Sequence, residues 1–298
     1  LYSSTVFGTQ STLAPSGLDP NTTYYLRAGS LWGGTTVYAA AVLSTSTLSQ
    51  LISGTTVYEI DVTSMVVNWI PRSLSPPDAS SNSASGYILQ VSSRSDFSPL
   101  WTSSSTPNVA LSTLTAFGLT GGVTYYFRVG TLNWDGAVNY ATSVSTLMPI
   151  QLGVVLTTHT IALGAQTMNT TIVISTSIIA TNTGNVSETY SLSATTTGAV
   201  SPWSIGTTQG VDRYVLWAVV NSTQPAAIDF GAQGTSPALL SNALQPCAAG
   251  AFTMGNQTCV QVPVGGTNTL WIQVATPLAT STVVPQNIQL TATAVKDP

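Results

Sequence analysis

The run Leu18-Asp19-Pro20-Asn21-Thr22-Thr23-Tyr24-Tyr25-Leu26-Arg27 returns as Leu119-Thr120-Gly121-Gly122-Val123-Thr124-Tyr125-Tyr126-Phe127-Arg128. The offset is 101 residues, about the length of one two-sheet β domain. A Trp-containing turn follows each copy, Trp32-Gly33-Gly34 and Trp134-Asp135-Gly136. Each copy closes on a similar segment, Ser44-Thr45-Ser46-Thr47-Leu48 and Ser143-Val144-Ser145-Thr146-Leu147. The repeat therefore predicts tandem modules.

Outside the repeat the signal is also that of strands. β-branched residues alternate with Ser and Thr over short runs bounded by Gly, Pro, Asn and Asp. Examples are Thr55 to Ile60, Met65 to Trp69, Tyr125 to Val129 and Thr171 to Ala180. No sustained helical period occurs. One short helix or turn is expected at Pro237 to Gln245, with Ser236 as N-cap, Pro237 at the first helical position and Pro246 beyond the end. The expected fold class is all-β, a tandem of β-sandwiches.

The motif Leu-x-Pro-x-Thr-x-Tyr, Leu18 to Tyr24, resembles the corner between strands E and F of fibronectin type III domains. In that family the Leu plugs the core and the Tyr forms the tyrosine corner. The resemblance assigns this structural role to Leu18 and Tyr24, and to Leu119 and Tyr125 in the second copy. The second copy has Gly121 and Val123 in place of Pro and Thr. It also supplies Trp69 for strand B, Tyr87 for strand C and Ser92 to Phe97 leaving that strand. Residues 49–148 thus look like a complete fibronectin type III-like domain. Residues 1–48 look like its C-terminal half, strands E, F and G, preceded only by Leu1 to Phe7; either the chain was cut from a longer protein or another chain completes this sandwich. Residues 149–298 leave the repeat. Their Asn182-Thr183-Gly184-Asn185 and Val262-Pro263-Val264-Gly265-Gly266-Thr267 motifs resemble bacterial surface immunoglobulin-like sandwiches, with an insertion at about 221–259. Val173 to Thr181, Tyr190 to Leu192, Leu270 to Val274 and Leu290 to Ala294 are the expected strands.

Composition limits function. Of 298 residues, 6 are Lys or Arg and 10 are Asp or Glu, so 5% are charged. An ordinary domain has about 25%. Ser and Thr fill the gap, with 37 and 47 residues. A net charge of −4 with scattered cations cannot neutralise a run of phosphates, so no nucleic-acid partner is expected. The longest apolar run is Tyr214 to Val220, far short of the roughly 20 residues of a membrane span. A start at Leu1 without basic or apolar leader regions reads as a mature or trimmed product. Cys247 and Cys259 have three readings: free thiols, a metal site lacking two further ligands, or a disulfide. The disulfide is expected, and it implies an oxidising compartment.

Candidate chemistry is sparse. His159, the one histidine, lies in a strand-like run, and no Gly-x-Ser-x-Gly elbow accompanies it. Glu59 and Asp61 fall two apart on a predicted strand, a start for a carboxylate pair or a calcium site. Asp78 and Asp96 lie in other segments. Asp135-Gly136 and Gly33-Gly34 read as turns, and Gly121-Gly122 and Gly265-Gly266 precede no helix. Trp32 and Trp134 are candidate contacts for a partner or a glycan. Trp101, Trp203, Trp217 and Trp271 are expected in cores or on sheet faces. Sequons occur at Asn21, Asn169, Asn185, Asn221 and Asn256, a number chance explains in so Ser/Thr-rich a chain. No catalytic residue, cofactor or metal is expected. The expected function is a non-enzymatic extracellular structural protein, a subunit of a cell-surface filament, pilus or sheath. Its expected partners are copies of itself, joined by exchange of a strand such as Leu1 to Phe7 or Ile288 to Val295. The alternative is a spacer or a carbohydrate- or partner-binding region of a larger secreted enzyme or adhesin.

Overall fold

The computed structural model describes residues 1–72, 84–157, 160–198, 202–248 and 250–297. The chain forms two compact units, Leu1–Pro149 and Ile150–Pro298. It is all-β, built of immunoglobulin-like and fibronectin type III-like β-sandwiches. The one helical element among the described residues is a single 3₁₀ turn, Ala227–Phe230.

In the first unit, strands β1 (Thr23–Leu26), β2 (Gly29–Trp32), β3 (Thr35–Tyr38) and β4 (Leu43–Ser46) form one long bent hairpin. β1 pairs with β4, Tyr24 opposite Thr45, and β2 pairs with β3, Gly29 opposite Tyr38. The two-residue turn needs positive φ at both positions, and Gly33 and Gly34 supply it at 56° and 84°.

The same unit then builds a full sandwich. Its strands are β5 (Ser53–Ile60), β6 (Ser64–Ile70), β7 (Gly86–Ser92), β8 (Thr102–Thr106), β9 (Thr113–Phe117), β10 (Thr124–Leu132), β11 (Val138–Tyr140) and β12 (Val144–Leu147). One sheet runs β5-β6-β9; the other runs β11-β10-β7-β8 with β12 also on β10. Alternate residues of each strand face inward, as a period of two requires. Met65, Val67 and Trp69 of β6 meet Tyr87, Leu89 and Val91 of β7 and Tyr125, Phe127 and Val129 of β10. The Trp69 and Tyr87 rings lie 5.1 Å apart, centroid to centroid.

The second unit has β13 (Val154–Leu156), β14 (Thr171–Val173), β15 (Ile178–Asn182), β16 (Glu188–Thr197), β17 (Ser204–Ile205), β18 (Arg213–Val220), β19 (Gln245–Pro246), β20 (Thr267–Ala275) and β21 (Asn287–Lys296). One sheet runs β13-β15-β20-β18-β17 with β14 also on β20, and the other runs β19-β16-β21. The expected single strand from Val173 to Thr181 is broken, because Ile174 to Ser177 bulges between two segments that both pair with β20.

The apolar run Tyr214 to Val220 is a strand buried on both faces. Tyr214, Leu216, Ala218 and Val220 enter the core between the sheets. Val215, Trp217 and Val219 face the other way, under Phe230, Ala238 and Leu239. Of the helix or turn expected at Pro237 to Gln245, only a turn at Pro237 and Ala238 forms, for this reason. That segment lies extended beside β18, where Ala218 N–H donates to Ala238 O and Leu240 N–H donates to Leu216 O. Burial of two strand faces outweighs the capping signal. Ser236 keeps a cap-like contact, its Oγ accepting from Ala238 N–H at 3.1 Å.

Candidate interaction surface

The two copies of the repeat match in geometry as well as in sequence. Tyr24 lies opposite Thr45 and Tyr125 opposite Thr146, the same register shifted by 101 residues. The closing segments therefore align as Ser44-Thr45 with Ser145-Thr146, two residues away from the alignment their sequences suggest. Both tyrosine corners are made. Asp19 N–H donates to the Tyr24 hydroxyl at 2.9 Å, and Thr120 N–H to the Tyr125 hydroxyl at 3.0 Å. Asn21 and Gly122 occupy the same corner position, both at positive φ, 48° and 76°. Asn tolerates that region better than most residues, which explains the exchange. Arg27 lies 3.9 Å over the Tyr38 ring, and Arg128 lies 4.0 Å over Tyr140.

The alignment extends upstream of the corner without a gap. Ser3-Ser4-Thr5 matches Ser104-Ser105-Thr106, Ser11-Thr12-Leu13 matches Ser112-Thr113-Leu114, and Gly17-Leu18 matches Gly118-Leu119. In the second copy these stretches hold β8 and β9, which pair with β7 and β6. In the first copy residues 1–22 carry no strand. The expected strand E is therefore not formed. Its partner strands have no counterpart in residues 1–48, and a lone strand has nothing to bond.

The result is an open apolar face. Phe127 is 0% exposed, whereas its counterpart Leu26 is 41% exposed. Leu18 is only half-buried where Leu119 is buried, and Tyr24 is half-buried where Tyr125 is buried. Tyr25, Leu31, Val37 and Leu43 are exposed, as are Leu1, Tyr2, Val6 and Phe7. The edges of β1 and β2 away from β4 and β3 pair with no strand among the described residues.

Trp32 ends β2 and is 83% exposed; Trp134 sits in the β10–β11 turn and is 53% exposed. Neither indole folds back over a sandwich. The Trp134 turn also holds the segment between the two copies. Buried Asn133 donates from Nδ2 to Ser46 O at 2.8 Å and Thr47 O at 3.2 Å. Its Oδ1 accepts from Asp135 N–H and Ala137 N–H. The Asp135 carboxylate accepts from Ser46 N–H. Sequence reading saw only a turn here; the buried amide had no signal to announce it.

In the second unit Cys247 and Cys259 form a disulfide, with sulfurs 2.00 Å apart. Cys247 N–H donates to Tyr190 O, and Tyr190 N–H donates to Cys259 O. The bridge thus straps the insertion along β16 and covers that edge of its sheet. Glu188, at the start of β16, is buried. Gly153 N–H donates to its Oε1 at 2.7 Å, and its Oε2 has no partner. Burial pushes its carboxyl above the usual value, and the nearby Asp297 charge adds to this. Tyr190 is pushed up to about 12 by burial first and the Glu188 charge second.

The remaining candidates do not converge. Glu59 lies within β5 whereas Asp61 lies beyond its end, and Asp61 accepts from the Ser64 hydroxyl at 3.0 Å. Asp96 pairs with Arg94 on the surface. His159 and Asp78 lie outside the described residues. Among the described residues no three His, Cys, Asp or Glu side chains group together. No helix there is long and apolar enough to cross a membrane. The sequons at Asn21 and Asn185 are buried, whereas those at Asn169 and Asn256 are exposed. Trp217 is buried; Trp101, Trp203 and Trp271 are partly exposed, with indoles bonded to Gly118 O, Thr280 Oγ1 and Asn221 O. A cavity of about 170 Å³ lies beside Val219, Phe252 and Asp229, but one Asp229 oxygen is already taken by Ala226 N–H.

No family model and no curated protein matches the chain. Among solved structures, a computationally redesigned β-sandwich protein aligns at 24% identity, covering 33% of this chain and 92% of its own, with a TM-score of 0.25. Domains d3–d4 of the rat CD45 extracellular region align at 18% identity, covering 49% of this chain and 75% of theirs, also at 0.25. Scores this low carry no argument about function.

Proposed function

We propose that the chain is a non-enzymatic extracellular structural protein whose β-sandwiches join it to neighbouring subunits of a surface filament, pilus or sheath. One observation carries this reading: the open apolar face of Leu1–Leu48. Leu26 and Leu43 match Phe127 and Val144 of the closed core next door, yet both stand in solvent. A contiguous exposed apolar surface with unpaired strand edges is a site for association. The disulfide supports an oxidising compartment. The low charge supports association, since little repulsion keeps edges apart.

Electron microscopy of native material, with light scattering of the purified chain, tests this. Regular filaments, or oligomers whose mass grows with concentration, are expected. Leu26→Asp with Leu43→Asp should abolish them. A chain that stays monomeric at high concentration, with no fibres in native material, would overturn the reading.

A second reading, a glycan- or partner-binding spacer, is favoured by the two exposed indoles. Glycan-array binding lost on Trp32→Ala or Trp134→Ala would support it.

A further inference from the structure

Two motifs of the second unit, Asn182-Thr183-Gly184-Asn185 and Val262-Pro263-Val264-Gly265-Gly266-Thr267, meet in the structure, and Asn182 fastens them together. Its Nδ2 donates to Val186 O and to Val262 O, both at 2.9 Å, and its Oδ1 accepts from Gly184 N–H at 2.8 Å. Its own N–H donates to Gly266 O, and its carbonyl accepts from Gly265 N–H. The loop after β15 is thereby fixed, with Asn182 and Asn185 both buried.

Ile150-Gln151-Leu152-Gly153, which leads into β13, lies along that loop. Gln151 N–H donates to Asn185 Oδ1 at 2.9 Å, and Gln151 O accepts from Asn185 N–H at 3.0 Å. Gly153 O accepts from Thr183 N–H at 2.8 Å, and Gly153 N–H donates to Glu188 Oε1 at 2.7 Å. Gly184 permits this approach, since a methyl group there would overlap both Glu188 Oε1 and Gln151 O. Apolar burial adds little, because Ile150 and Leu152 are exposed. β13 itself has three residues and lies at the edge of its sheet. Polar contacts hold the segment, and one of them is to a carboxyl group.

We propose that Asn185 and Glu188 form a latch on Gln151 and Gly153, closed while Glu188 carries its proton and loosened when the proton leaves. The latch lies wholly within the second unit and does not depend on how chains associate.

The surroundings of Glu188 make its charged form the costly one. The side chain is buried; one oxygen has Gly153 N–H as its partner and the other has none. A carboxylate there has lost water and gained a single hydrogen bond. Lys296 stands opposite Glu188 in register but is exposed and forms no ion pair with it. Asp297 adds negative charge, and Tyr190, two residues along β16, keeps its proton at neutral pH. β13, β15 and residues 262–267 carry no titratable side chain. Burial raises the Glu188 carboxyl most, the Gly153 N–H opposes that rise, and Asp297 adds to it. β16 is paired on both sides, so water reaches the charged group at least cost by displacing residues 150–153. A closed form that binds the proton more tightly than the open form must open as pH rises.

Native-state hydrogen exchange on the full chain, read by NMR and corrected for the base catalysis of exchange, tests this. Between about pH 4 and about pH 8, protection at Gln151 and Gly153 should fall and then level off. The fall should be about tenfold for each pH unit separating the open and closed carboxyl values. The amides of Tyr190 and Ala218, bonded to Cys259 O and Ala238 O, should not follow. Glu188→Gln keeps an acceptor for Gly153 N–H and cannot ionise, so its profile should be flat. Asn185→Ala should lower protection at Gln151 at every pH and leave the slope at Gly153 in place. Circular dichroism checks that the variants fold, and the wild-type profile decides if one does not. Protection at Gly153 that is flat in the wild type overturns the proposal, as does a Glu188→Gln profile that keeps the slope. So does loss of protection at Tyr190 and Ala218 in step with Gly153, since the whole unit would then be opening.

Discussion

Tyr24–Leu31 and Tyr125–Leu132 are close copies in sequence, and Tyr24 and Tyr125 hold the same register on their closing strands, yet one lies open and the other is buried. The difference comes from what packs against them. Tyr125, Phe127 and Val129 are covered by β6 and β7, while Tyr24, Leu26 and Ala28 have no second sheet above them. Local signals suffice to make a hairpin, a type I′ turn and a tyrosine corner. They do not suffice to make a core, which needs a second apolar layer. The same position is therefore buried in one copy and exposed in the other.

The largest expected effect exploits that contrast. Phe127→Ala should cost ~3–5 kcal/mol, seen as a lower urea midpoint for the first unit. Leu26→Ala should cost less than ~0.5 kcal/mol in a monomeric chain. Equal losses at the two sites would break the comparison, because Leu26 would then be closed in solution by some other surface. Under conditions of assembly, Leu26→Ala should instead weaken association.

A second contrast lies between sheet edges. The edge of β1 and β2 is bare, whereas the edge of β16 is strapped by Gln245–Cys247 and Cys259–Val262. Reducing the Cys247–Cys259 bridge releases a short loop and should cost ~3 kcal/mol. The loss should appear in the unfolding transition of the second unit and leave that of the first unchanged. If reduced protein also gains a tendency to associate, the strap protects an edge as well as a loop.

Much of this was legible beforehand, and the omissions have physical causes. The corner motif, the 101-residue offset and the strand alternation are local, so Leu18, Tyr24, Leu119 and Tyr125 could be placed from sequence. The cysteine pair was legible from spacing and composition. Three features depended on distant partners. Of the helix or turn expected at Pro237, pairing along β18 left only the turn. The strand expected before Leu18 did not form, because strands equivalent to β6 and β7 are missing around it. Ile288 to Val295, a candidate for exchange, is β21, paired with β16 over ten residues of its own unit. Asn133 was missed because a buried amide has no period or motif.

Asn133 gives the next test. Its side chain joins the closed copy to the segment leaving the open one through two hydrogen bonds, and two more brace its own turn. Asn133→Ala leaves those backbone groups unpaired and should cost ~1–3 kcal/mol. Amide hydrogen exchange should quicken at Asp135 and Ala137, which donate to Asn133, and at Ser46, which donates to Asp135 in the same turn. Unchanged protection would mean that the turn and its Ser46–Asp135 hydrogen bond hold without the amide.

Glu188 supplies the smallest and most specific test. A buried carboxylate carries a desolvation cost. Glu188 sits on the central strand β16, paired with Lys296 on one side and with Val262 on the other. The cost of its burial is readable in pH. Glu188 has its carboxyl held above the unfolded value by burial and by Asp297, so the folded state binds the proton more tightly than the unfolded state does. Its contribution favours folding below the ordinary carboxylate range and is lost as pH rises through the raised folded value. Glu188→Gln keeps the shape and removes the charge. It should raise stability at neutral pH by ~1 kcal/mol and flatten the fall between acid and neutral solution. Paired urea titrations of wild type and variant across that range measure it. A variant that follows the wild-type pH profile would show that Glu188 does not carry the linkage.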